Sequence, residues 1–214
     1  IEYGDNFISK LDLNTRNQGD SISLFVRADD IYAGRIFMPG FSIIGGMREN
    51  RINARMRMQD TVQNMSALLG VTATLGRDSV SGIPNATLRF TPSTITGRGK
   101  LWNVYTRSIV IDSAKVDVDG FVIHGDGQTL QVYGRASRHR SDTLHMELSN
   151  FDMGVLTQLT NRMGYRVEGV TNGHGDLMSA LEGGIFHARI NFDSVRVNDV
   201  KLPDGLFEST WDFQ

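Results

Sequence analysis

Along IFHARINFDSVRVND, Ile185 to Asp199, apolar and polar residues alternate with few lapses. Phe186, Ala188, Ile190 and Phe192 fall on one side of an extended chain, and His187, Arg189, Asn191 and Asp193 on the other. A period of two sustained this far marks a strand with one face turned from water. Similar runs fill most of the sequence. SISLFVRA puts Ile22, Leu24 and Val26 on one face, and RINARMRM sets Ile52, Ala54, Met56 and Met58 against Arg51, Asn53, Arg55 and Arg57. GVTATLG gives Val71, Ala73 and Leu75, and NATLRF gives Ala86, Leu88 and Phe90. KLWNVYT, RSIVID, AKVDVD, GFVIHG and TLQVYGR follow as short β-branched or aromatic runs, and TLHMELS sets Leu144, Met146 and Leu148 against His145 and Glu147.

Turn signals separate the runs: Asp119-Gly120, Gly125-Asp126-Gly127 and Pro203-Asp204-Gly205. Strands recurring at such short spacing predict an antiparallel meander over the whole chain. The best helix candidate is 152–163, with Asp152 as N-cap, Val155, Leu156, Leu159 and Met163 on one face, and Gly164 as the stop. A weaker one is DTVQNMSALLG, with Val62, Met65, Leu68 and Leu69 at helical spacing; a strand with a bulge fits it nearly as well. No linker or low-complexity segment divides the chain, so residues 1–214 are expected to form a single β segment. The chain opens at Ile1 without a start methionine and closes in ESTWDFQ, which reads as mid-strand. We therefore expect an excerpt of a longer protein, with any targeting or anchoring segment outside it.

Composition changes this picture little. A formal net charge of −2 argues against a general nucleic-acid footprint. The absence of cysteine excludes disulfides and thiolate metal sites without fixing the compartment. No apolar run approaches the roughly 20 residues of a membrane-spanning helix.

Catalytic chemistry is sparse. The five histidines, at 124, 139, 145, 174 and 187, never stand at i, i+4 with an acidic partner, and read as residues of exposed strands. There is no G-x-S-x-G elbow and no P-loop. The glycines at 169, 173 and 175 suit close backbone packing at a sheet bend better than a phosphate cradle. DVDG at 117–120 lacks the other ligands of a calcium loop and reads as a hairpin turn. Arg135, Arg138, His139 and Arg140 suit a solvated turn, with anionic lipid headgroups as the alternative contact. These features predict a non-enzymatic protein with no cofactor and no metal.

One regularity is harder to dismiss. Asp-Ser/Thr followed by Ala, Ile, Leu, Met, Val or Thr occurs at Asp20-Ser21-Ile22, Asp60-Thr61-Val62, Asp78-Ser79-Val80, Asp112-Ser113-Ala114, Asp142-Thr143-Leu144 and Asp193-Ser194-Val195. Composition alone gives roughly one such triplet in this chain. Turn chemistry is the plainer account, since Asp and Ser favour the turn before a strand. The other account is similarity to the O-glycan acceptor triplet that some Gram-negative bacteria use on exported proteins.

From NATLRFTPSTITGRGKLWNVYTRSIVID onward the signals fall into a recognisable order. A Phe-x-Pro-Ser segment precedes a Trp-x-Val strand and Ile-x-Ile-Asp. A Gly-x-Gly-Gln turn, a Val-Tyr-Gly strand and Asp-x-Leu-x-x-x-Leu-x-Asn-Phe-Asp follow, then YRVEGVTNGHG and the closing STWDF. Residues 85–214 thereby resemble the translocation-and-assembly-module B (TamB) proteins of the AsmA-like superfamily, and residues 1–84 fit more loosely. No motif in the resemblance is catalytic. It implies a long curled antiparallel sheet, a β-taco or half-open β-groove, with one or two short helices, an apolar interior and a polar exterior. It further implies a periplasmic segment of an inner-membrane-anchored protein that carries phospholipid toward the outer membrane and contributes to outer-membrane biogenesis. The implied partners are phospholipid acyl chains, neighbouring β-repeats of the same chain and an outer-membrane β-barrel protein.

The groove lining is then expected to be Ile123, Leu130, Val132, Leu144, Met146, Leu148, Phe186, Ala188, Ile190 and Phe192. Met56, Met58 and Met146 suit a surface that adapts to varied tails. The same alternation also makes the core of a two-sheet sandwich, which periodicity alone favours; the resemblance reverses the preference. Edge-strand pairing with other β-chains is the second functional class, and a glycan-active β-fold a weaker third.

Overall fold

The alternating runs do become strands, and nearly everything between them is turn. The computed structural model describes residues 2–3, 6–33, 36–61, 64–97, 99–156 and 166–213. The chain is almost entirely antiparallel β-structure. Its contacts group it into two compact units, Ile1–Tyr105 and Thr106–Gln214, where the sequence showed no boundary.

In the first unit, β1 (Glu2–Tyr3) pairs with β2 (Asn6–Ser9). Both β2 and β3 (Asp12–Gln18) pair with β4 (Ser21–Ala33). The meander continues through β5 (Ile36–Arg48), β6 (Arg51–Asp60), β7 (Met65–Arg77), β8 (Pro84–Gly97) and β9 (Lys100–Tyr105). The register puts Val26, Ile43, Met56 and Leu69 in one row across four strands, with Ile22, Met47, Ile52, Ala73 and Leu88 in another. The β6 arginines at 51, 55 and 57 are exposed on the other face, while Ile52, Ala54, Met56 and Met58 are half-buried.

From Met65 onward the weaker helix candidate is instead the start of β7, while Val62 lies outside the described residues. Met65, Ala67 and Leu69 alternate as well as they spiral, and a long-range partner decides the matter. Opposite Leu69, β8 carries a bulge at Pro92-Ser93, where the register shifts. Proline brings no N–H to the ladder there. The buried Ser93 hydroxyl accepts from Gly70 N at 2.8 Å and donates to Thr91 O at 2.7 Å, occupying backbone groups that the bulge would leave unpaired.

The second unit runs β10 (Ser108–Asp112), β11 (Lys115–Gly125), β12 (Gln128–Ser137), β13 (Thr143–Asp152), β14 (Val167–Met178), β15 (Ile185–Val197), β16 (Val200–Lys201) and β17 (Gly205–Asp212). Neighbours pair in that order, except that β17 lies along β15 while β16 makes only a short hairpin at its end. The expected turn at Asp119-Gly120 is a bulge inside β11: Gly120 has φ +67° and the register shifts between Val118 and Phe121, so AKVDVD and GFVIHG are one strand. The Asp126-Gly127 turn forms as expected, both residues taking positive φ. The helix expected at 152–163 is, in its described part, a single 3-10 turn at Met153–Leu156 that follows β13 and packs on β14; residues 157–163 lie outside the described residues. Helix spacing there did not outweigh the short local turn that Asp152 caps through Gly154 N at 2.9 Å.

Candidate functional site

The ten expected lining residues all lie in the second unit, and cross-strand register puts them on one face of its sheet. Directly opposed residues of an antiparallel pair project to the same side. Ile123 opposes Leu130, Leu130 opposes Leu148, Leu148 opposes Gly173, and Gly173 opposes Ile190. A parallel row runs Val132, Met146, Gly175, Ala188, and a third runs Leu144, Leu177, Phe186. Phe192 stands opposite Thr171 at one end of the face, beside Phe151.

Sequence reading missed several members of this surface. Phe121 extends the Val132 row, Leu177 joins the third, and Phe207 and Trp211 oppose Ile190 and Phe186 on β17. Their rings form a chain along the edge: Phe186 to Trp211 at 5.6 Å, Trp211 to Phe207 at 5.8 Å, and Phe207 to Phe192 at 6.1 Å. The signal was available, because Phe207, Ser209 and Trp211 alternate with Leu206, Glu208 and Thr210.

Burial on this face is partial. Among the ten residues only Ala188 is fully buried, at 1% exposed; the other nine are half-buried. Among the described residues the unit holds one sheet, with no second one facing these side chains. In a sandwich the central strands β12–β15 would carry the interior, and their leucines and phenylalanines would be closed off. Full burial is local: Thr171 and Phe151 are closed off next to the strand end from which the 3-10 turn leaves, and Ala136 and Ser179 toward the other end.

The opposite face is polar. Gln131, Glu147, His174, Arg189 and Glu208 form one row, and Tyr133, His145, Asp176, His187 and Thr210 the next. The Tyr133 hydroxyl donates to Glu147 at 2.7 Å, His145 Nδ1 lies 2.7 Å from Asp176, and His187 Nε2 lies 3.3 Å from Glu208. The hydrogen bond to the Glu147 carboxylate, with some desolvation, raises the Tyr133 phenol above its ordinary pKa. Three of the histidines thus lie on the polar face of strands, as their spacing predicted, and none joins a metal-holding group among the described residues. Arg138, His139 and Arg140 are exposed in the β12–β13 turn, while Arg135 stands in β12 opposite Asp117.

Asp117 is expected to make this face acid-sensitive. Partial burial pushes its carboxyl up, but hydrogen bonds from Arg135 and from Lys115 (Nζ at 2.9 Å) outweigh it and hold the pKa below the ordinary value. The resulting stability is complete above the unfolded pKa of about 3.9 and disappears as pH falls through the lower folded value. Urea unfolding of the Asp117→Asn variant should show a deficit of about 1 kcal/mol or less at neutral pH that closes in acid. A deficit unchanged at every pH would show that the carboxylate charge is not what ties β11 to β12.

No protein-family model matches the chain, and neither a curated protein nor a solved structure does.

Proposed function

We propose that the chain is a non-enzymatic conduit segment of the periplasm whose apolar sheet face carries phospholipid between the inner and outer membranes. The observation that carries this reading is an apolar face, six strands wide (β11–β15 and β17), whose side chains are mostly half-buried within the described part of their unit. Leu, Ile, Met and Phe side chains make non-directional contacts worth about 0.8 kcal/mol per CH₂ withdrawn from water, and such contacts let an acyl chain slide. The resemblance of residues 85–214 to the TamB family supplies the phospholipid, the periplasm and the inner-membrane anchor. A second reading, a strand-pairing module that assists outer-membrane protein assembly, is favoured by one feature: among the described residues of its unit β17 pairs with β15 alone, and it is exposed along nearly its whole length.

Site-specific photo-crosslinking in cells tests both. Probes at Val132, Met146 and Ile190 should yield phospholipid adducts, while probes at Glu147 and Arg189, which the register puts on the polar face, should not. Adducts to protein alone at the three apolar positions would remove the conduit and favour strand pairing.

A further inference from the structure

The six Asp-Ser/Thr triplets do not share one environment, and the structure sorts them. Four are absorbed by the fold. The Ser21 hydroxyl donates to Gln18 O at 3.0 Å. Asp60 is 8% exposed, so its carboxylate is withdrawn from any visitor. Thr143 and Leu144 are half-buried within β13, and Val195 is 2% exposed at the β15 bulge. The remaining two are built alike, each at a turn of its own unit. Asp78 Oδ1 accepts from Val80 N at 3.0 Å and Ser81 N at 2.7 Å; Asp112 Oδ1 accepts from Ala114 N at 2.7 Å and Lys115 N at 2.9 Å. Both aspartates therefore close the same side-chain-capped turn, and the serine that follows is lifted into solvent.

Turn chemistry accounts for the aspartates alone. Ser79 and Ser113 are exposed, and neither hydroxyl is used by the turn it sits in. Val80 is 94% exposed and Ala114 is exposed, so the apolar third residue serves no packing either. Each turn thus presents an exposed primary hydroxyl between a turn-capping carboxylate and a protruding apolar side chain.

We propose that Ser79 and Ser113 are O-glycosylation sites. The serine Oγ bonds to the anomeric carbon of a glycosyl diphosphate donor. The bond from that carbon to the diphosphate oxygen breaks, with its electron pair leaving on the diphosphate, and the hydroxyl proton passes to a base of the host's glycosyltransferase. Glycans at these tips hydrate turns that lie away from the apolar rows, and the assignment does not depend on lipid conduction.

Intact-mass and site-localising mass spectrometry on the full chain recovered from the organism that encodes it tests the assignment. The expected result is one glycan on each serine. Ser79→Ala and Ser113→Ala should each remove one, and Ser79→Thr and Ser113→Thr should retain them. Asp78→Asn and Asp112→Asn keep the turn acceptor but lose the carboxylate, and should lose the glycan with no change in thermal unfolding. An unmodified serine at either position, a phosphate in place of sugar, or glycan confined to Thr143 and Ser194 would overturn the proposal.

Discussion

Replacing Ile190 with glutamate should leave the chain folded and empty the groove. Ile190 is half-buried between Gly173 and Phe207, so a carboxylate there can still reach water. The loss is that of a partly buried aliphatic side chain, about 1–2 kcal/mol, within a total stability of roughly 5–15 kcal/mol. In a sandwich the same change would seat an unpaired charge in a closed core and cost about 3–5 kcal/mol or more. The effect on lipid runs the other way. A hydrated carboxylate that denies an acyl chain three CH₂ contacts removes about 2.4 kcal/mol, roughly fiftyfold in occupancy. The measurements are thermal unfolding and mass-spectrometric quantitation of lipid co-purifying with the full protein, with Arg189→Gln on the polar face as control. A folded variant with undiminished lipid would remove Ile190 from any lipid path, and a collapsed one would make this face a packed core.

Which residues share a face was legible in the sequence because side-chain alternation is a property of one strand and needs no knowledge of its neighbours. Leu144, Met146, Leu148, Phe186 and Ile190 therefore came out on one surface although nothing in the sequence says that β13, β14 and β15 are adjacent. Irregularities were less legible, because a bulge and a hairpin turn draw on the same residues. Asp119-Gly120 reads as a turn, yet β12 pairs with β11 on both sides of it. The Pro92-Ser93 bulge depends on Gly70, a residue far away in sequence. The helix expectation at 152–163 failed over its first turn for a similar reason: apolar spacing is satisfied by a short turn at the end of β13 as well as by a helix. Openness of the apolar face was not legible at all, since a covered sheet and an uncovered one carry the same period.

A glycine-to-valine change at position 173 should be among the most damaging single substitutions in the second unit. Gly173 sits mid-strand in β14, on the apolar face between Leu148 and Ile190. A Cβ there would strike Arg189 O and come within 2.8 Å of Ile190 Cα, both backbone atoms of the paired strand. Backbone in a hydrogen-bonded ladder cannot yield locally, so β15 must separate from β14 and weaken its bonds. A cost of about 3 kcal/mol follows, or a Tm drop of roughly 10–15 °C for a unit of this size. Gly175 provides the comparison. A Cβ there meets the Phe186 ring, with Cε2 and Cζ at 2.8 Å, and Met146 Cε at 3.3 Å, all far ends of side chains that can turn aside. Gly175→Ala should therefore cost only about 1 kcal/mol while pushing Phe186 off the floor of the groove, where an acyl chain would lie. Calorimetry on the two variants separates the roles: position 173 sets how closely the strands approach, and position 175 sets how much room remains above them. Equal, small losses at both would mean that β14 and β15 can part without penalty, and the glycines would then have no part in shaping the face.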